Sequence, residues 1–158
     1  EFRDHFVSKV WDLIEKAETD GACARFVVMA LHAEDSFNFL SEKIRKAMLE
    51  KMHENPYHRS FVDSVLQTAQ EGQENGQSAS SALEAFVAGV DLGLLNGDDE
   101  KKIRNEIRKQ EFRNKLATYT ASTIEQVDIR PVCAQDTARI VLGIKECIER
   151  SRRRRRAS

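Results

Sequence analysis

Two prolines and seven glycines in 158 residues leave this chain few places to turn sharply. That scarcity argues against a many-turned β sandwich and favours long helices. Cysteine is also sparse. Cys23, Cys133 and Cys147 form an odd set with no Cys-x-x-Cys spacing, which argues against a finger-type zinc site. They read as buried thiols in a reducing compartment. Long hydrophobic runs are missing as well. The run from Phe26 to Leu31 is among the longest, far short of the roughly 20 residues that span a bilayer. Residues 1–12 alternate charge with hydrophobe and lack the apolar stretch and cleavage site of a secretory signal. These absences imply an intracellular protein, cytoplasmic or nuclear, with no membrane partner.

Hydrophobic residues make up 41% of the chain, enough to fill one core, and charged residues 32%, typical of helices with a solvated face. Removing the five arginines Arg152, Arg153, Arg154, Arg155 and Arg156 from the 25 Lys and Arg leaves 20 against 26 Asp and Glu, a balance of −6. An acidic body thus carries a basic tail.

Hydrophobes recur every third or fourth position along most of the chain. Phe6, Val10, Leu13, Ile14 and Ala17 predict a helix over about 3–18, ended by Asp20-Gly21. Residues 22–54 predict either one bent helix or two, with Asp35 and Ser36 as candidate caps of the second. The stripe there is Phe37, Leu40, Ile44, Met48 (or Ala47) and Met52. Asn55-Pro56 reads as an N-cap followed by a first helical residue. Phe61, Val62, Val65, Leu66 and Ala69 follow, facing inward to about Glu71-Gly72.

Residues 72–80 read as a mobile surface loop, and Ser81-Ala82-Leu83-Glu84 as a capping box that opens the next helix. Asn96-Gly97 should end that helix, and one helix should then run from Asp98 to Tyr119. Ser122 to Glu125 is a second capping-box candidate, ambiguous with a short strand. The last helix should begin near Asp136, turning Ile140, Val141, Ile144, Cys147 and Ile148 inward. The expected architecture is therefore all-α. It is a single-domain bundle or stack of six or seven antiparallel helices over residues 1–150, with a disordered basic tail or linker start at 151–158.

No catalytic constellation is complete. Glu50 and His53 have the Glu-x-x-His spacing of di-iron bundles, but no second such pair exists among His5, His32 and His58. His53, Glu54, His58 and Asp63 form a weak metal candidate. Cys23 with His32 and Glu34 lacks an orienting group and an oxyanion-forming loop. No catalytic, cofactor-binding or metal-binding residue, and no cofactor, is therefore expected.

The strongest local signal is the run Arg152–Arg156, whose guanidinium groups suit phosphate contact or nuclear import. Arg155-Arg156-Ala157-Ser158 resembles a basophilic kinase site, which makes Ser158 a candidate phosphoacceptor. The reading favoured by elimination is a non-enzymatic protein–protein interaction or self-association module of a larger regulatory protein, with a protein partner or a second copy as ligand. An RNA- or nucleic-acid-associated domain that uses the Arg run is the alternative. A helical metal-dependent enzyme is the third.

Overall fold

A computed structural model describes residues 1–38, 40–126, 149, 152–154 and 156. Among them the chain is all-α, with seven substantial helices packed together and no strand. They are α1 (Phe2–Lys16), α2 (Gly21–Glu34), α3 (Glu42–His53), α4 (Tyr57–Glu71), α5 (Gly76–Asp91), α6 (Gly97–Ile107) and α7 (Gln110–Glu125).

Helix α5 lies at the centre. It packs against α2, α4, α6 and α7 and buries Ala79, Ala82, Leu83, Ala85, Phe86, Val87, Ala88 and Gly89. Four alanines and a glycine let neighbouring helices come close. A Cβ on Gly89 would lie 2.9 Å from the Phe61 ring of α4. The two sides of α5 serve two cores. The larger gathers Ile14, Val27, Leu31, Met48, Met52, Tyr57, Phe61, Phe86 and Ile103 from α1 to α6. The smaller joins Ala69, Ala82, Leu83 and Val87 to Phe112 and Leu116 of α7.

Residues 22–54 are two helices, and the second starts at Glu42, later than a cap at Asp35 or Ser36 would place it. Asp35 follows the end of α2, and Ser41 caps α3, its hydroxyl accepting from the Ile44 N–H at 3.3 Å. Between them Asn38 sits at φ 50°, a left-handed conformation that asparagine tolerates better than most residues. Of the predicted stripe, Leu40, Met48 and Met52 are buried, Ile44 is half-buried and Phe37 is exposed. Pro56, not Asn55, precedes the first residue of α4, after a cis Asn55–Pro56 bond, and no side chain caps that end.

Other expectations are corrected. The 72–80 loop shrinks to 72–75, because Asn75 caps α5 by accepting from the Gln77 and Ser78 N–H groups. Ser81 is then inside α5, where its hydroxyl meets Arg25 instead of a helix start. Asn96 does not end α5. It caps α6, accepting from the Asp99 N–H at 2.8 Å, while α5 stops at Asp91. The single helix expected from Asp98 to Tyr119 is two, broken at Arg108-Lys109, and Ser122 to Glu125 is the helical end of α7. The helix expected after Asp136, with Cys133 and Cys147, lies outside the described residues.

Candidate functional site

Four features of the surface could carry function. The first is the outward side of α2. Ala24, Val27, Val28 and Leu31 are buried, yet the opposite side is not polar. Ala22, Phe26, Ala33 and Phe37 are exposed at four- and seven-residue steps, with Met29 and Ala30 half-buried between them. Phe26 is 60% exposed and Phe37 75%. Phe37 lies in the turn after α2, where its N–H donates to Glu34 O at 2.9 Å. A helix that is apolar all round is ordinarily covered all round. On α2 the Phe26 side is open.

The second feature is the Arg run. Arg152, Arg153, Arg154 and Arg156 are helical and exposed, where a disordered tail was expected; Arg155 and the candidate phosphoacceptor Ser158 lie outside the described residues. Arg154 reaches α6 with both terminal nitrogens on the Glu100 carboxylate, at 2.5 and 2.6 Å. Glu100 also accepts from Arg104, one turn on, at 2.8 Å, and its side chain is only 8% exposed. Arg104 in turn lies over the Phe86 ring at 5.7 Å. The tail thus meets the body through a planar two-bond fork on a nearly buried carboxylate, the geometry in which guanidinium binds best.

The third feature is a polar groove of about 390 Å³ between the start of α2 and the flank of α4, lined by Gly21, Arg25, Ser60, Asp63, Gln67 and Glu71 among others. Arg25 donates to Ser64 Oγ at 2.7 Å and to Ser81 Oγ at 3.0 Å, clamping α2 to α4 and α5. Its cation is offset by Asp63 and Glu71 along the same wall, so the groove favours neither anion nor cation.

The fourth is the distribution of the histidines. Sequence spacing pairs Glu50 with His53 and groups His53, Glu54, His58 and Asp63 as metal ligands. The structure gives both histidines and Asp63 other partners. His53 faces the carbonyls of Leu49 and Gly93, His58 the carbonyl of Leu94, and Asp63 pairs with Arg59. Among the described residues no group of three or more His, Cys, Asp or Glu side chains is placed to hold a metal ion. Cys23, His32 and Glu34 also separate. His32 meets Asp91 at 2.6 Å, while Glu34 turns inward to the Leu40 N–H and Arg45. Burial, and then the Asp20 carboxylate, push the Cys23 thiol above its usual range, the wrong direction for a nucleophile.

Among the described residues no helix is long and apolar enough to cross a membrane. No protein-family model, curated protein or solved structure matches the chain.

Proposed function

We propose that this chain is a non-enzymatic interaction module that docks a protein partner or a second copy of itself through the outward side of α2, within a larger intracellular regulatory protein. The observation that carries the reading is the exposed, uncharged stripe of Phe26, Ala33 and Phe37 on a helix whose other side is core. Large aromatics supply much of the energy at interfaces; Phe26, held on α2, loses little entropy on docking, and Phe37 adds a second exposed ring from the turn that follows. Phe26, Ala33 and Phe37 recur at seven- and four-residue steps, a one-sided spacing that suits a helix laid in a groove.

Sedimentation velocity over a wide concentration range tests it, together with capture from cell extract by wild type and by Phe26→Asp. Association or capture lost in Phe26→Asp, with unchanged helicity, supports the reading. A wild-type protein that stays monomeric and captures nothing that Phe26→Asp fails to capture contradicts it.

The Arg run favours a second reading, contact with RNA or another nucleic acid. Arg152, Arg153 and Arg156 are exposed on a helical segment and so can reach phosphates together. Binding to single-stranded RNA measured with and without residues 151–158, across salt, separates the two. Affinity that falls steeply with salt and disappears with the run supports nucleic-acid contact, while salt-insensitive, run-independent affinity opposes it. In either setting, cytoplasm or nucleus, Ser158 is the candidate site at which added phosphate would cancel part of this charge.

A further inference from the structure

Arg154 is the member of the Arg run, among the described residues, that reaches the helical body. Its Nη1 pairs with Glu100 Oε1 and its Nη2 donates to Glu100 Oε2, so the guanidinium fork is closed at both prongs. Oε1 also accepts from Arg104, whose guanidinium lies over the Phe86 ring. Arg104 thus holds the Glu100 carboxylate in place from its own helix. A carboxylate fixed in this way loses little freedom when a second guanidinium arrives. Planar two-bond pairing is also something that arginine makes and lysine does not.

One fork closes on one anion at a time. While both terminal nitrogens lie on Glu100, Arg154 cannot close the same fork on a phosphate. Arg152, Arg153 and Arg156 remain exposed on the same helical segment. The start of α6 works against phosphate as well. Asp98 and Asp99 precede Glu100 in its first turn, so a polyanion that follows the docked run is brought toward like charge. The contact is open to competition. Arg154 keeps 53% of its side chain exposed, so water, salt and other anions reach it.

We propose that Glu100 is an arginine-binding site filled by the chain's own Arg154 and, resting on the reading of the run as a phosphate contact, that this docking competes with phosphate for the run. Released, the run meets a polyanion with all five arginines. Docked, it offers one fewer and lies beside an acidic helix start. Loss of the Glu100 charge therefore strengthens polyanion binding, and loss of Arg154 itself takes away little.

Binding of the full chain to fluorescently labelled linear polyphosphate, at about 0.1 M salt, tests this. Polyphosphate has no bases, so the two readings fail separately. The nucleic-acid reading fails when RNA ignores residues 151–158; the docking fails on the comparisons that follow. Glu100→Gln keeps an acceptor for Arg104 and removes the charge that holds Arg154. It should bind polyphosphate about threefold more tightly than the wild type, or better. Asp98→Asn makes the same change of charge on an exposed side chain in the same turn, and should alter affinity by less than about twofold. Two substitutions within the run leave the helical body intact and decide the matter even where the Glu100 variant folds poorly. Arg153→Ala should weaken binding by about threefold, whereas Arg154→Ala, which removes an arginine already engaged, should not weaken it. Glu100→Gln no tighter than Asp98→Asn, Arg154→Ala as weak as Arg153→Ala, or no binding of polyphosphate by any of these chains overturns the proposal.

Discussion

The Tyr57 hydroxyl donates to the Ala24 carbonyl across 2.7 Å, from a side chain with no exposed surface. It ties the first residue of α4 to the first turns of α2, two helices that share the larger core. Burial in apolar surroundings pushes the phenol far above its ordinary range, so it stays a donor at any pH the fold tolerates.

Tyr57→Phe keeps the ring and removes the bond. Ala24 O retains its place in the α2 helix, so the loss should be modest, about 1 kcal/mol in urea unfolding. Tyr57→Ala should cost about 3 kcal/mol or more, because it also opens a cavity. Equal costs for the two variants would mean that ring packing contributes nothing.

Glu34 is the most instructive buried charge. At 3% exposure it accepts from the Leu40 N–H at 2.9 Å with one oxygen and from Arg45 at 2.9 Å with the other. It therefore fixes the turn that places α3. Glu34→Ala should cost about 2–3 kcal/mol, below the fully buried limit because Arg45 keeps some contact with water and with Asp35. Glu34→Gln preserves an acceptor for Leu40 and should fall between that variant and the wild type. Chemical denaturation of both checks the order.

Two glycines predict opposite signs for one substitution. Alanine is the better helix former, which alone would favour both changes. A Cβ at Gly72, however, would sit 2.6 Å from the Phe112 ring and 2.8 Å from the backbone of Ala79. Gly72→Ala should destabilise by about 1–3 kcal/mol. At Gly97, the first residue of α6, nothing lies within 4 Å, and Gly97→Ala should stabilise by a few tenths to about 1 kcal/mol. Thermal unfolding of the pair reads both signs.

Asp20 couples a cap to a thiol. It accepts from the Ala22 and Cys23 N–H groups at the start of α2, and the Cys23 bonds hold its carboxyl below the usual range. A depressed carboxyl contributes stability above its unfolded value and loses it as pH falls through the folded value, so this cap weakens only on the acid side of the normal aspartate range. Burial comes first in holding the Cys23 thiol up, and Asp20 adds to it. Asp20→Asn should therefore speed alkylation of Cys23 at neutral pH, provided α2 stays folded. An unchanged rate would mean that burial alone sets the thiol.

The fold class was legible because periodicity of three and four survives without any tertiary knowledge. The breaks were less so, though one left a trace. Ile103 and Ile107 are four apart and Leu116 is four after Phe112, but Ile107 to Phe112 is five, a phase slip that the break at Arg108-Lys109 resolves. No glycine or proline marks it, so composition missed it. Asn75-Gly76 read as loop because the same dipeptide serves turns and caps, and Ser81 read as a cap because Arg25, its true partner, lies 56 residues away. The α2 stripe was out of reach for a simpler reason. The sequence marks α2 as apolar on most sides, but which side neighbours leave uncovered is decided by how α1, α4 and α5 pack on it.

The most direct test is a photo-crosslinker carried at position 26 or 37, compared with the same group at Lys102, an exposed position on α6. Irradiation in cells should give covalent adducts from positions 26 and 37 and none, or far fewer, from 102. Adducts equally abundant from all three, or none from 26 and 37, would contradict the assignment of this face as the docking surface.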